Sequence, residues 1–343
     1  MITESSLQFP AVSVLMPTYN NARHIRDAVD SILVQTFTDF ELVIVIDGAT
    51  DNSEEILREY TDSRIRILPL PQNMGRPYAR NTALQAAQGK YIVWMDADDI
   101  SLPRRLEKQV AFMDAHPDVA VCGGAIQCFH KEDACVIFPF RSEAVTAGLF
   151  FSPTIANPAS CSRRDIILRY GVSYDAALPR AEDYDFWRQL LLVHKQKGAN
   201  IPDVLLLYRV ENLLNSAGHI EVQRRILAQL GLEPTEEMLG LCLLLSVGEG
   251  EWQKFSPSAS KAFIQQALAA NAQKRIFPQN RIQSRLYTSL AKHIIRTTPG
   301  MVNRLLACIH HMGGVVFLQT GMAYTLRWLT KKTLAHLQRW LYG

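Results

Sequence analysis

The last acidic residue of this chain is Glu251. From Trp252 to Gly343 there is no Asp or Glu, but there are 13 Lys and Arg. The first 251 residues carry the opposite balance, 23 basic against 33 acidic. Such asymmetry between halves suggests a basic module that meets a membrane surface or a polyanion. Paired cysteine motifs are also missing. The six cysteines form no CxxC pair and show no zinc spacing. A site built from Cys122, Cys128 and His130 is the alternative, but free cysteine is usually a small core hydrophobe. Reduced thiols in a cytosolic setting are therefore expected. The polar opening MITESSLQFP does not read as a secretory signal. The longest uncharged stretch late in the chain, Leu305 to Leu326, contains two His, three Gly and a Gln. Its length would suffice for a membrane span, but its polarity favours a buried or interfacial helix pair. No phosphate-loop motif occurs and no GxGxxG follows the first strand, which argues against P-loop enzymes and ordinary dinucleotide dehydrogenases.

What is present is the composition of an ordinary globular protein, 48% hydrophobic and 20% charged, long enough for two domains or one large one. AVSVLMPTYN (11–20) reads as a strand ending in a loop, with Asn20 or Asn21 capping a helix through Ile25, Ala28, Val29 and Ile32. FELVIVIDG (40–48) is a second strand, apolar on both faces as in a covered parallel sheet. DNSEEILREY (51–60) is expected to be a helix with Asp51 as N-cap and Glu54 completing a capping box. RIRILPL (64–70) is a third strand. A helix follows between Pro77 and Gly89, and KYIVWMD is the fourth strand. Helices are also expected over 103–115 and 182–193, and strands over 118–129 and 204–209. The βα alternation predicts a doubly wound, mostly parallel α/β sheet flanked by helices. In such sheets ligands bind beyond the carboxyl ends of the strands. From about residue 216 the composition turns helical. The expected division is a domain over 1–215 and a basic, helical C-terminal region over 216–343.

Two acidic clusters lie at candidate ligand positions. DADD puts Asp96, Asp98 and Asp99 at the end of the fourth strand. Like charges this close repel, and a hard cation that also holds a substrate phosphate would cancel the repulsion. The competing reading is that Asp99 or Ser101 caps the next helix, and both can hold at once. AEDYDFW (181–187) places Glu182, Asp183 and Asp185 in the first turn of a helix. These acids suit the helix dipole, or one of them is a general base.

Taken together, VSVLMPTYN, QTFTDFELVIVIDGATDNS, QNMGRPYARNTAL, GKYIVWMDADD and the Glu182-Asp183 pair resemble the family 2 inverting glycosyltransferases with the GT-A fold. The resemblance covers about residues 11–210 and keeps the family's order and spacing. It implies a nucleotide-diphosphate-sugar donor, with UDP-sugars favoured, and a Mn2+ or Mg2+ ion. By the same resemblance Pro17, Thr18 and Tyr19 lie in the nucleotide loop, and Tyr19 packs on the base. Asp47 bonds the base edge, Arg76 and Arg80 line the nucleotide pocket, and Asp96, Ala97 and Asp98 form the DXD motif. Asp98 is the implied metal ligand and Asp183 the implied catalytic base. Glu182, Trp187 and Asn157 are expected on the acceptor side, with a core role the alternative for Trp187. The chain departs from the family pattern at Ile46, where relatives commonly have an acid, and at Glu211, where many have a nearby His.

The chain ends in FLQTGMAYTLRWLTKKTLAHLQRWLYG, where Leu and Trp alternate with Arg, Lys and His. A basic amphipathic helix of this kind suits a membrane interface, and basic side chains near an anionic leaflet contribute about 1 kcal/mol each. An ordinary docked helix is the competing reading. The functional expectation is a glycosyltransferase of cell-surface polysaccharide assembly with a saccharide or lipid-linked acceptor. It would be cytoplasmic, at the inner face of the membrane, and would not bind nucleic acid. An idle, nucleotide-sugar-binding scaffold is the alternative. A nucleotidyltransferase is disfavoured, because the first loop is PTYNNARH and not Gly-rich.

Overall fold

The computed structural model describes residues 9–130, 133–178, 180–210, 216–247 and 254–298, with residues 303, 307, 308, 311 and 312. The chain falls into two compact units, Met1–Val145 with Pro153–His219, and Thr146–Ser152 with Ile220–Gly343.

The first unit begins with three βα steps and a fourth strand. The strands are β1 (Val12–Thr18), β2 (Phe40–Ile46), β3 (Ile65–Pro69) and β4 (Tyr91–Trp94). The helices between them are α1 (Ile25–Leu33), α2 (Ser53–Arg58) and α3 (Arg76–Ala86). β1 lies between β2 and β4, β3 pairs with β2, and all these pairings are parallel. β2 is buried along its whole length, which is why its seven residues need no polar alternation. Val12, Val14 and Met16 share one core with Ile25, Ala28 and Ile32 of α1 and with Leu42 and Ile44 of β2. Helix α3 packs on β1 and β2 through Ala79 and Ala83.

After β4 the pattern changes. β5 (Ile100–Ser101) is followed by α4 (Arg105–Ala115), β6 (Val119–His130), β7 (Cys135–Val136), α5 (Ser142–Gly148) and a 3-10 turn, Asn157–Ala159. Then come β8 (Cys161–Arg163), α6 (Arg164–Tyr170), α7 (Glu182–Arg188) and β9 (Lys197–Val210). The sheet order is β3-β2-β1-β4-β8-β6-β9-β5, with β7 on β6. β8 is antiparallel to both β4 and β6, while β6 and β9 run parallel. The sheet is thus mixed α/β and mostly parallel, with an antiparallel strand inserted beside β4.

Several expected caps are replaced by other contacts. Asn20 is left-handed (φ 53°), and its side chain bonds Thr50 instead of capping α1, whose N-cap is His24. Asp51 is not the N-cap of α2 either; that position is Asn52, which makes no side-chain cap bond. The Asp51 carboxylate accepts the Ala22 N–H at 2.9 Å and the Ser53 N–H at 3.0 Å, tying two loops together. Asp99 and Ser101 do not cap α4, because the chain first forms β5 against β9. The helix expected over 182–193 is α7 followed by a π-helical turn, Gln189–Val193.

The helices after β9 are α8 (Ser216–Gln229), α9 (Glu236–Val247), α10 (Pro257–Lys274) and α11 (Gln279–Thr297). Helix α10 starts with Ser256, whose hydroxyl accepts the Ala259 N–H, and with Pro257. Its turn into α11 is held by Asn271, which both donates to and accepts from the Phe277 backbone. Among the described residues, no helix is long and apolar enough to cross a membrane. The amphipathic end after Leu326 lies outside the described residues, as does most of Leu305–Leu326.

Gly48 closes the turn after β2 with φ +61°. A Cβ added there would lie 2.2 Å from the carbonyl carbon of Gln72. Gly48→Ala is expected to cost about 2 kcal/mol or more, since strain and clash act together. The expected readout is a lower urea midpoint at an unchanged m-value.

Candidate active site

A crevice of about 320 Å³ opens at the carboxyl ends of β1, β2 and β4. It is lined by Pro17, Thr18, Tyr19 and Asn21 after β1, by Asp47 after β2, and by Arg76, Ala79 and Arg80 of α3. Asp96, Ala97 and Asp98 after β4 and Tyr208 of β9 complete it. The volume suits a small organic ligand. The structure thus gathers Pro17, Thr18, Tyr19, Asp47, Arg76, Arg80, Asp96, Ala97 and Asp98 into one place. Tyr19 is 45% exposed at the rim, its ring open to a stacking partner.

Each wall has a local cause. The β1 strand stops at Pro17-Thr18, and the Asp47 N–H still bonds the Thr18 carbonyl at 2.8 Å. The buried Asp47 carboxylate accepts the N–H of Met74 at 2.7 Å and that of Gly75 at 3.0 Å. It therefore holds the loop that leads into α3. The Thr18 hydroxyl is buried with no partner among the described residues.

The acidic turn after β4 is clamped from two sides. Arg105 is fully buried and donates to the Trp94 carbonyl at 2.7 Å. Burial brings its pKa down to about 10. Arg209 of β9 donates its backbone N–H to Asp99 at 2.8 Å and its Nε to the Asp98 carbonyl at 2.9 Å. Its guanidinium lies 4.6 Å from the Phe129 ring centroid. Burial, reinforced by Asp96 and Asp98, raises the Asp99 pKa well above the carboxylate range. Asp99 is thus the structural member of DADD, while Asp96 and Asp98 face the crevice. Tyr208 was missed from the sequence, although its signal was the Tyr-Arg pair ending β9. Burial and then the charges of Asp96, Asp99, Asp98 and Asp183 push its phenol pKa up.

The three acids of α7 have separate fates. Glu182 is fully buried and bonds Arg80 at 2.7 Å and Arg76 at 3.0 Å. Asp185, also buried, accepts from Arg188 at 2.7 Å and from Gln189 at 2.8 Å. Asp183 is half-buried and accepts only the N–H of Tyr184, at 2.8 Å, among the described contacts. Its charge reaches Arg80, Tyr174, Tyr208 and His219. The His219 pKa is lowered by burial, with Asp183 opposing. The remaining acceptor-side candidates, Trp187 and Asn157, are also fully buried. Trp187 packs edge-on against Phe186, and Asn157 accepts the Tyr174 hydroxyl at 3.1 Å. With Glu182, they are not among the residues that line the crevice.

Helix α7 enters through Ala181, which is left-handed (φ 65°). That conformation costs a non-glycine residue roughly 1–2 kcal/mol. Gly218 of α8 packs on the same corner, where an added Cβ would lie 2.2 Å from the Arg180 carbonyl oxygen.

Among the described residues, no three His, Cys, Asp or Glu side chains converge as a metal cage. The crevice offers Asp98 beside Asp96, a donor set that suits a hard cation sharing its coordination with phosphate oxygens.

Comparison with known proteins bears on the family and the fold. Residues 13–146 match the model of the Glycosyl transferase family 2. The chain is 34% identical to an uncharacterized glycosyltransferase of Methanocaldococcus jannaschii, over 63% of this chain and 76% of that protein. It is 39% identical to Escherichia coli WfgD, a UDP-Glc:alpha-D-GlcNAc-diphosphoundecaprenol beta-1,3-glucosyltransferase. That match covers 30% of this chain and 40% of WfgD, less than half its length. Among solved structures, S. aureus TarS 1-349 in complex with UDP superposes with a TM-score of 0.57 at 22% identity, over 82% of this chain and 87% of that one. The fold is that of the GT-A glycosyltransferases. The chain belongs to glycosyltransferase family 2.

Replacing Ala181 by glycine removes the left-handed penalty, so the folded state should gain up to about 1 kcal/mol. A raised thermal midpoint for Ala181→Gly is the expected readout.

Proposed function

We propose that this protein is an inverting glycosyltransferase that moves a sugar from a nucleoside diphosphate onto a hydroxyl of a saccharide or lipid-linked acceptor. The observation that carries this reading is the separate fate of Asp183. Among the described residues it is the one acid of α7 with no ion pair at bonding distance, and its charge reaches Arg80 and Tyr208, which line the crevice. In this reading Tyr19 stacks on the nucleobase, with Pro17 and Thr18 in the same loop. Asp47 serves the base side through the loop it braces. Arg76, 57% exposed beside the crevice, meets the diphosphate, and Asp96 and Ala97 meet the ribose side. Asp98 would hold a Mn2+ or Mg2+ ion. That ion, when bound, would neutralise charge building on the departing diphosphate.

Asp183 takes the proton of the acceptor hydroxyl. The acceptor oxygen then bonds the anomeric carbon from the face opposite the diphosphate. The bond between that carbon and the phosphate oxygen breaks, and its electron pair leaves with the nucleoside diphosphate. One displacement inverts the anomeric centre. We favour a UDP-sugar and cell-surface polysaccharide assembly; the naming of WfgD, with its UDP-Glc donor and diphosphoundecaprenol acceptor, supports both. The basic C-terminal region would bring the enzyme to the inner membrane face.

Calorimetry with UDP, GDP and dTDP, with and without Mn2+, tests the donor site. One diphosphate should bind in a metal-dependent manner, and Asp98→Ala should weaken it at least tenfold. No binding by the folded protein would overturn the reading. Asp183→Asn should lower turnover by at least a hundredfold while the diphosphate Kd stays within about threefold.

A further inference from the structure

We infer that Glu182 is a positioning residue for Asp183, acting through Arg80, and that it never contacts donor or acceptor. The inference rests on Asp183 being the base. Glu182 has no exposed surface, and Arg80 is only 2% exposed. A carboxylate so placed cannot reach a ligand, yet its neighbour in sequence is, among the described residues, the one acid of α7 with no ion pair at bonding distance. Arg80 makes two different bonds with its two terminal nitrogens. Nη1 donates to Glu182 at 2.7 Å and Nη2 to Asp96 at 3.2 Å. One guanidinium thereby connects the first turn of α7 to the acidic turn after β4, across a sequence separation of 102 residues on one side and 16 on the other.

The guanidinium is also fixed in direction. It lies 5.4 Å from the Tyr174 ring centroid and 5.9 Å from that of Trp94, rings that pack edge to face. Tyr174 in turn is anchored by Asn157 and by the Asn81 side chain, which bonds its backbone at both ends. Burial opposes the Arg80 charge, but Glu182 and Asp96 outweigh it and push its pKa up. The pair is therefore an internal strut, not a reserve of charge for substrate.

The strut is needed because α7 begins on a strained corner. Ala181 is left-handed, and no side chain caps the helix. Strain of this kind persists only when the surroundings over-determine it. Gly218 packs on the corner from one side, and the Glu182 bond to Arg80 pins it from the other. Residue 183 follows immediately, so the direction of its carboxylate is set by whatever fixes residues 181 and 182.

The test is Glu182→Gln, which keeps shape and removes charge. Binding of the nucleoside diphosphate is measured by calorimetry with Mn2+. Turnover is measured as release of nucleoside diphosphate from UDP-, GDP- and dTDP-sugars. We expect kcat to fall at least thirtyfold while the diphosphate Kd does not rise. Glu182 holds Arg76 at 3.0 Å and so competes with a diphosphate for it. Combining Glu182→Gln with Arg80→Lys should cost kcat little more than the worse single change, since both break one strut. Unchanged kcat, or a Kd that rises in step with the loss of kcat, overturns the inference. If Glu182→Gln does not fold, Glu182→Asp carries the same test by withdrawing the carboxylate one methylene, and unchanged kcat there overturns it equally. Asp183→Asn in the same series separates the two readings. An active Asp183→Asn removes the base, whereas an inactive Asp183→Asn beside a fully active Glu182→Gln removes only the strut.

Discussion

Everything in the site depends on keeping several carboxylates close together at the ends of parallel strands. Asp96, Asp98 and Asp99 follow β4, and Asp183 opens α7; after burial, the charges of all four raise the phenol pKa of Tyr208, and those of Asp96 and Asp98 raise that of Asp99. The protein answers with arginines of graded burial. Arg105 and Arg80 are inside, and Arg209 braces the turn from β9. Arg76 is at the mouth. The inner ones bond backbone carbonyls or fixed acids, so their charge shapes the site. Removing one partner of such a buried pair typically costs about 3–5 kcal/mol. The crevice is consequently stiff where the acids are and open where Tyr19 and Arg76 are.

Much of this was legible in the sequence, for a physical reason. The apolar runs of β1, β2 and β4 are short, covered on both faces and punctuated by Pro17, Gly48 and DADD, so pattern alone locates their carboxyl ends. Residues at those ends are brought together by the parallel pairing, whatever the loops do. What stayed hidden depends on contacts between distant segments. Asp51 and Asn20 looked like caps because capping is local, but both bond across to other loops. Asp99 looked like a cap because nothing nearby shows that β9 will arrive, a hundred residues later, to claim its carboxylate. Glu182, Trp187 and Asn157 were expected on the acceptor side, and their burial comes from contacts with Arg80, Phe186 and Tyr174 that sequence spacing does not show. Tyr208 is the converse case, since its strand was expected but its neighbours were not.

The three acids at the start of α7 show how one motif is divided by its surroundings. Spacing alone makes them equivalent, as three charges near a helix N-terminus. Burial against Arg80 assigns one to architecture, and Arg188 with Gln189 claims another. The π-helical turn that follows shifts the helix register over Gln189–Val193, and such turns are frequent near functional sites.

The sheet also contains a seam. β8 has only three residues, and it joins the parallel half, β3-β2-β1-β4, to the half containing β6, β9 and β5. After β7 pairs back on β6, the chain leaves the sheet at Val136 and returns at Cys161, and lengthening such an excursion adds little loop entropy, about 0.6 kcal/mol per doubling. Material can be added or exchanged there without disturbing the pairing of β1 with β2 and β4. The two halves meet at the site all the same: Asp47 and Asp96 follow strands of one half, while Tyr208 and Arg209 reach them from β9 of the other, so a three-residue strand joins two surfaces that must stay in register for the crevice to keep its shape.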